Sequence, residues 1–102
     1  MSTKSKTLRQ LEKLIDGPLT ISEIFLATRK SKELSQSEMA KLLGTTKQNI
    51  CNIEKRRTFL SPELAAKYAK KLNESEKQFI RISLQDLLIR HNLHYEVHLE
   101  AA

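Results

Sequence analysis

The chain has 102 residues, of which 29% are charged and 39% hydrophobic, with two glycines, two prolines, no tryptophan and a net charge of +6. These values are typical of one globular domain, and the few turn formers and aromatic residues favour helices over sheets. No apolar run approaches the roughly 18 residues of a membrane span, and no apolar stretch follows the basic start as in a secretory signal. The lone Cys51 cannot form an internal disulfide, and it is consistent with the cytoplasm, where we expect the protein to act.

The positive charge is concentrated in the first 60 residues. Residues 1–18 carry a net charge of +2, residues 19–60 a net charge of +4, and residues 61–102 none. An excess of positive charge in one part of the chain favours a polyanionic partner, because phosphates that the protein neutralises release their counterions. Charge alone fits a solvated basic face equally well.

The first two predicted helices come before residue 33. Apolar residues at helical spacing predict a helix over residues 7–16, which Gly17 and Pro18 end. A capping box of Thr20 and Glu23 then predicts a second helix that runs to about residue 32.

Two short helices with a tight turn between them are predicted next. Ser35 and Glu38 form another capping box, and Gly44 is the natural end of that helix. Thr46 caps the following helix, which extends to about Lys55.

Two longer helices and a strand complete the chain. Ser61 followed by Pro62 predicts a helix start, and a cap at Asn73 or Ser75 begins a last helix that ends near Asn92. The apolar residues expected to face mostly inward from that last helix are Phe79, Ile80, Ile82, Leu84, Leu87 and Leu88. Alternation over residues 94–99 predicts one short strand, whose partner would be the same strand of a second chain or another protein.

The helix after Thr46 carries the chemistry that points to function. Its Ile50 and Ile53 face the domain, and its outward side chains are Lys47, Gln48, Asn49, Cys51, Asn52 and Lys55. Gln48 and Asn52 lie four residues apart on one stripe, and such amides can form paired hydrogen bonds with adenine in the major groove. Lys47 opposes the helix dipole in the first turn, a placement that an external anion or base edge would explain.

This stretch resembles the helix-turn-helix family of the Cro and lambda-repressor type, also called the XRE family. Six residues stand at the signature spacings of that family: Gln36, Ala40, Gly44, Ile50, Ile53 and Glu54. The resemblance covers residues 19–88 and implies an all-α, compact five-helix bundle. The predicted organisation is an N-terminal tail and helical extension (1–18), a DNA-binding domain (19–92) and a C-terminal strand (93–102).

The resemblance also implies roles for individual residues. The residues that would contact bases are Lys47, Gln48 and Asn52. The residues that would hold phosphates are Gln36, Thr46, Asn49 and Lys55, to which the neighbouring cations add Arg56 and Arg57, although a merely solvated turn would also explain those cations. Arg29 and Glu54 would form the ion pair that orients the recognition helix. The family usually has a glycine soon after the position of Glu54, whereas Lys55, Arg56 and Arg57 follow here, so either the helix extends or the loop bends without glycine.

Other functional interpretations are weaker. Cys51 is interpreted as a small surface residue rather than a redox sensor, and the three histidines lack the partners of a metal site. The leucines of the first helix would serve a dimer interface or packing on their own domain. No catalytic constellation, metal site or cofactor-binding motif is found.

The sequence therefore predicts a transcriptional regulator, and specifically a repressor that binds a palindromic operator in double-stranded DNA as a homodimer. The alternative is an antitoxin that binds a toxin protein and represses its own operon, in which the N-terminal helix or the C-terminal strand contacts the toxin. A helix-turn-helix kept only as an interaction module ranks last, because the exposed face is basic and rich in amides.

Overall fold

A computed structural model describes residues 20–102, and these form five α-helices. The helices are α1 (Ile21–Ser31), α2 (Gln36–Leu43), α3 (Lys47–Glu54), α4 (Pro62–Lys71) and α5 (Glu76–Arg90). The predicted all-α, five-helix bundle is thereby confirmed. The helix predicted over residues 7–16 lies outside the described residues. Among the described residues, no helix is both long enough and apolar enough to cross a membrane.

Each helix begins at a serine or threonine whose side chain accepts a backbone hydrogen bond. The two predicted capping boxes are present at Thr20 and Ser35, and Ser75 rather than Asn73 caps α5. At Ser35 the backbone N–H donates to the Glu38 carboxylate at 2.8 Å. That bond, together with the Ser35 hydroxyl, lowers the pKa of Glu38 below its ordinary value.

Each of the five helices is followed, within two residues of its end, by a residue in the left-handed conformation. Gly44 takes it after α2 (φ 73°), but the other four helices use Glu33, Arg56, Asn73 and Asn92 at φ 56–60°. The N–H groups that follow return to the last turn, for example from Arg57 to the Asn52 carbonyl at 2.9 Å. The chain thus ends its helices cleanly with few glycines, and Glu33 and Arg56 bear a steric cost there.

A substitution at Glu33 measures that cost. Glu33→Gly is expected to raise the free energy of unfolding by about 1 kcal/mol, because glycine adopts positive φ without strain and the exposed Glu33 side chain makes no ion pair among the described residues. Chemical denaturation measures the change. The matched control is Lys41→Gly, inside α2, which should lower stability by about 1 kcal/mol. A loss of stability with Glu33→Gly would contradict the strain argument.

The core lies where the five helices meet. Helix α2 packs on α3, α1 contacts α3 and α5, and α4 packs along α5. The buried apolar residues come from every helix and include Ile21, Ile24, Phe25, Met39, Ala40, Leu43, Ile50, Ile53, Leu60, Ala65, Tyr68, Ala69, Leu72, Phe79 and Ile82. This core fixes α3 from behind and leaves its opposite face to solvent.

Two expectations for the C-terminal part need correction. Of the six apolar residues expected inward on α5, only Phe79 and Ile82 are fully buried, and the polar Ser83 and Asp86 share that face. Residues 93–102 form neither a helix nor a strand, so the strand prediction for residues 94–99 was wrong. The physical reason is that a strand needs a neighbouring strand, and residues 20–102 contain none.

Candidate nucleic-acid interface

Helices α2 and α3 are joined by a three-residue turn that holds them crossed. Gly44 turns the chain, and the Thr45 N–H donates to the Ala40 carbonyl at 2.9 Å. Thr46 then caps α3 by accepting from the Asn49 N–H at 3.0 Å. Because Ala40 is small and 4% exposed, the two helices can pack closely at this point.

The outer face of α3 presents amide side chains in a fixed arrangement. Gln48 is exposed and Asn52 half-buried, and Nε2 of Gln48 donates to Oδ1 of Asn52 at 3.0 Å. This bond leaves the Gln48 carbonyl oxygen and the Asn52 NH₂ group available to a ligand, an acceptor beside donors. Lys47 is exposed one residue earlier, while Cys51 on the same helix is half-buried and forms no disulfide among the described residues.

The polar groups at the start of α3 are partly committed to each other. Nδ2 of Asn49 donates to the Thr45 hydroxyl at 2.9 Å, and the Thr46 hydroxyl is used by the cap. Asn49 is half-buried and keeps its side-chain carbonyl and one N–H unused. These bonds fix the first turn of α3, the end whose N–H groups and dipole attract anions.

An ion pair fixes the other end of α3. Nε and Nη2 of Arg29 donate to the two carboxylate oxygens of Glu54 at 2.7 and 3.1 Å, and Nη1 donates to the Leu34 carbonyl at 3.0 Å. Gln36 joins this network, since its Nε2 donates to Oε1 of Glu54 at 3.0 Å. The Glu54 side chain is 6% exposed, so its charge is neutralised inside the protein rather than displayed on the face.

The sequence predicted an ion pair between Arg29 and Glu54, and the structure places these two side chains in contact. It also places Gln36 in hydrogen-bond contact with Glu54. The expected phosphate contact of Gln36 would use its one remaining N–H. Gln36, the first residue of α2, is thus part of the ion-pair network as well.

The loop after α3 (residues 55–61) contacts one stripe of α5. The Ser83 hydroxyl donates to the Leu60 carbonyl at 2.8 Å, and the Arg90 guanidinium lies 5.5 Å from the centre of the Phe59 ring. Asp86 lies between Ser83 and Arg90 on the same helix and is fully buried. Ser83 and Arg90 thereby hold the loop after α3 against α5.

Asp86 lies between two cations, Arg90 on its own helix and Arg56, the middle of the three cations in that loop. Its Oδ2 accepts from Nε of Arg90 at 3.0 Å, and its Oδ1 lies 3.2 Å from Nη2 of Arg56, without hydrogen-bond alignment. The sequence reasoning missed this residue. The signal was available, since an aspartate seven residues after Phe79 lies on the face predicted to be buried, and a buried carboxylate requires cationic partners.

The remaining charges make the face of α3 positive. Lys47, Lys55 and Arg57 are all exposed, and no carboxylate among the described residues lies within 4 Å of them. The acidic group nearest in the sequence, Glu54, is paired with Arg29. No three metal-ligating side chains gather anywhere in residues 20–102. A ribbon of amides bordered by cations is the surface chemistry expected for a duplex groove and its phosphates.

Comparison with known proteins relates the chain to a helix-turn-helix family. A family model described as helix-turn-helix matches residues 25–79, more than half of the chain, from the middle of α1 to the first turn of α5. Neither the curated proteins nor the solved structures contain a match to this chain.

Proposed function

The chain belongs to the XRE-type helix-turn-helix family of DNA-binding transcriptional regulators, and from this membership we propose that it is a repressor that binds a palindromic operator as a homodimer. The single observation that carries the DNA recognition in this proposal is the hydrogen-bonded Gln48–Asn52 amide pair on the outer face of α3, a helix that the core and the Arg29–Glu54 pair fix from behind. In this proposal residues 19–92 form the DNA-binding unit, and the protein acts on DNA in the cytoplasm.

In this proposal α3 enters the major groove and its outer side chains contact base edges. Gln48 and Asn52 would contact adenine, because an amide offers one acceptor and one donor to the N6 and N7 positions of that base. Lys47, at the N-terminal end of α3, would contact the hydrogen-bond acceptors of guanine in the major groove. The side-chain bond between Gln48 and Asn52 supports this role, since it orders both amides before DNA arrives.

Phosphate contacts would surround these bases. We assign them to the start of α2 and α3 (Gln36, Thr46 and Asn49) and to two exposed cations after α3 (Lys55 and Arg57). The sequence also predicted a phosphate contact for Arg56. Because Arg56 lies beside the buried Asp86, we propose instead that it positions the loop and that Arg57 contacts the phosphate.

The salt dependence of binding separates Arg56 from Arg57. Arg57→Gln is expected to lower the slope of log affinity against log salt concentration by about 1 for each chain bound, because one phosphate contact is lost. Arg56→Gln is the matched control and should leave the slope nearly unchanged, since its charge already faces Asp86. Fluorescence anisotropy with labelled duplex DNA gives both slopes. Equal reductions for the two variants would contradict the assignment.

Two chains per operator are expected. Dimers of this docking geometry place their recognition helices about 34–36 Å apart, so the two half-sites should be one turn of DNA apart. Footprinting on a selected binding site locates the half-sites, and a titration on the same DNA gives the number of chains bound. A promoter that carries this site, fused to a reporter gene, shows whether the protein lowers or raises expression. We expect two chains per site, two inverted half-sites and reduced expression. One chain on one half-site, or increased expression, would contradict the homodimeric repressor.

A second candidate function is an antitoxin that binds a toxin protein and represses its own operon. The observation that favours it is the exposure of apolar side chains beyond the family match, with Leu93 46% exposed and Tyr95 71% exposed. Co-expression with the protein encoded by the adjacent gene tests it. Rescue of growth from a toxic neighbour, lost on removal of residues 93–102, would support this function.

A further inference from the structure

A fully buried carboxylate lies behind the loop that follows α3. Asp86 is 0% exposed, and its Oδ1 accepts no hydrogen bond among the described residues. That oxygen lies 3.2 Å from Nη2 of Arg56. Replacing a buried ion pair with apolar residues is often neutral or stabilising, so stability alone does not explain a carboxylate at this position.

The two consecutive arginines of the loop have different surroundings. Arg56 meets Asp86, whereas Arg57 is exposed and has no carboxylate within 4 Å among the described residues. The backbone separates them, because Arg56 has φ 60° and the Arg57 N–H returns to the Asn52 carbonyl at 2.9 Å. The Arg56 side chain is nevertheless 40% exposed, so its guanidinium stays within reach of solvent.

We propose that Asp86 withholds Arg56 from DNA phosphates and thereby limits the affinity of the protein for DNA of any sequence. This role rests on the proposed contact of α3 and its loop with DNA, but it requires neither an operator nor a dimer. Phosphate contacts supply nearly all sequence-independent affinity, and that affinity competes with the operator at the many unrelated sites of a genome.

The burial of Asp86 makes its attraction for Arg56 persistent. Dissolved salt screens a buried charge much less than an exposed one. If Arg56 moved to a phosphate, the buried carboxylate would keep only its contact with Arg90, and a buried charge that loses a partner is costly. Arg57 has no such cost, because it leaves only water when it binds a phosphate.

The loop has other attachments that do not use the Asp86 charge. The Ser83 hydroxyl donates to the Leu60 carbonyl at 2.8 Å, and the Arg90 guanidinium lies 5.5 Å from the centre of the Phe59 ring. An asparagine in place of Asp86 keeps a carbonyl that can accept from Nε of Arg90. Asp86→Asn should therefore leave the loop against α5 while it releases the neighbouring arginine of the loop.

Removing the Asp86 charge is expected to strengthen binding to duplex DNA of unrelated sequence. D86N should raise that affinity roughly threefold to tenfold at about 0.15 M salt, and should steepen the slope of log affinity against log salt concentration by about 1 for each chain bound. Adding R56Q to D86N should return both quantities to wild-type values, because the released cation is then absent. Fluorescence anisotropy over a salt series measures them, and circular dichroism verifies the fold of each variant.

The matched control is Glu76→Gln, the same change of charge on the same helix about 15 Å from Asp86. It should alter neither the affinity nor the slope. Asp86→Leu is the second variant, since it fills the buried space without a charge and releases Arg56 even where the asparagine variant fails to fold.

The direction of the change separates this role from a purely structural one. A structural role predicts weaker binding on loss of Asp86, whereas release of Arg56 predicts tighter binding and a steeper slope. A folded D86N or D86L variant with the wild-type slope, or a gain that R56Q does not cancel, overturns the proposal and leaves DNA binding by α3 in place. A wild type without affinity for duplex DNA overturns both this role and the proposed function.

Discussion

Replacing both Gln48 and Asn52 by alanine is expected to weaken binding to the selected operator by about 2–4 kcal/mol for each half-site. Each amide is expected to contribute about 1–3 kcal/mol through paired hydrogen bonds with a base. The two side chains bond each other at 3.0 Å, so their effects should be coupled, and the double variant should lose less than the sum of the single variants. Anisotropy titrations of the wild type, Q48A, N52A and the double variant measure this.

The loss should be confined to specific binding. Affinity for unrelated duplex DNA, and its dependence on salt, should remain close to the wild-type values because the cations Lys47, Lys55 and Arg57 are retained. Gln78→Ala, which removes an amide from the first turn of α5, is the matched control and should bind normally. An equal loss on specific and unrelated DNA would show that the variants damage the fold or the phosphate contacts instead.

Glu54→Ala is expected to lower the free energy of unfolding by about 2–4 kcal/mol. The Glu54 carboxylate accepts three hydrogen bonds, two from Arg29 and one from Gln36, and its side chain is 6% exposed. Removing it leaves donors of a largely buried arginine without a partner, which costs more than the net contribution of the pair. Chemical denaturation followed by circular dichroism gives the change.

Two control variants distinguish the stability that the Arg29–Glu54–Gln36 network contributes from a general effect of removing an acidic residue. Glu54→Gln keeps the size and one acceptor and should lose about half as much stability. Glu74→Ala breaks an exposed contact with Lys32 at 3.4 Å and should change stability by less than about 0.5 kcal/mol. If Glu54→Ala were as stable as the wild type, the network would not orient α3 in the way described.

Local signals made most of the fold predictable. Capping boxes at Thr20 and Ser35, the cap and proline at Ser61 and Pro62, and Gly44 after α2 act within one or two turns, and each is found where the sequence placed it. Such signals satisfy the free N–H and C=O groups at helix ends, so they depend little on the rest of the protein.

The features that the sequence left open or predicted wrongly depend on distant residues. The turn after α3 has Arg56 where the family usually has glycine. Arg56 adopts the turn conformation nevertheless, because its backbone N–H bonds back to α3 and Asp86 lies beside its side chain. No sequence pattern links Arg56 to an aspartate thirty residues away. The segment at residues 94–99 alternates like a strand, but alternation alone supplies no neighbour, and Gln85 takes that place along one edge.

The site itself was predictable in composition but not in its internal contacts. The sequence identified an amide-rich, basic α3, and the family match supports DNA binding. Only the structure shows that Gln36 bonds Glu54, that Asn49 bonds Thr45 and that Gln48 bonds Asn52. These bonds depend on side-chain rotamers and on how α2 crosses α3, which spacing along the sequence does not determine.

The most direct measurement is the selection of bound sequences from a library of random duplex DNA, carried out with the wild type and with the Q48A/N52A double variant. We expect the wild type to enrich an inverted repeat whose half-sites lie one turn apart, and the variant to lose preference at adenine-containing positions within each half-site. Enrichment of the same sequence by both proteins, or of none by the wild type, would contradict base recognition by α3.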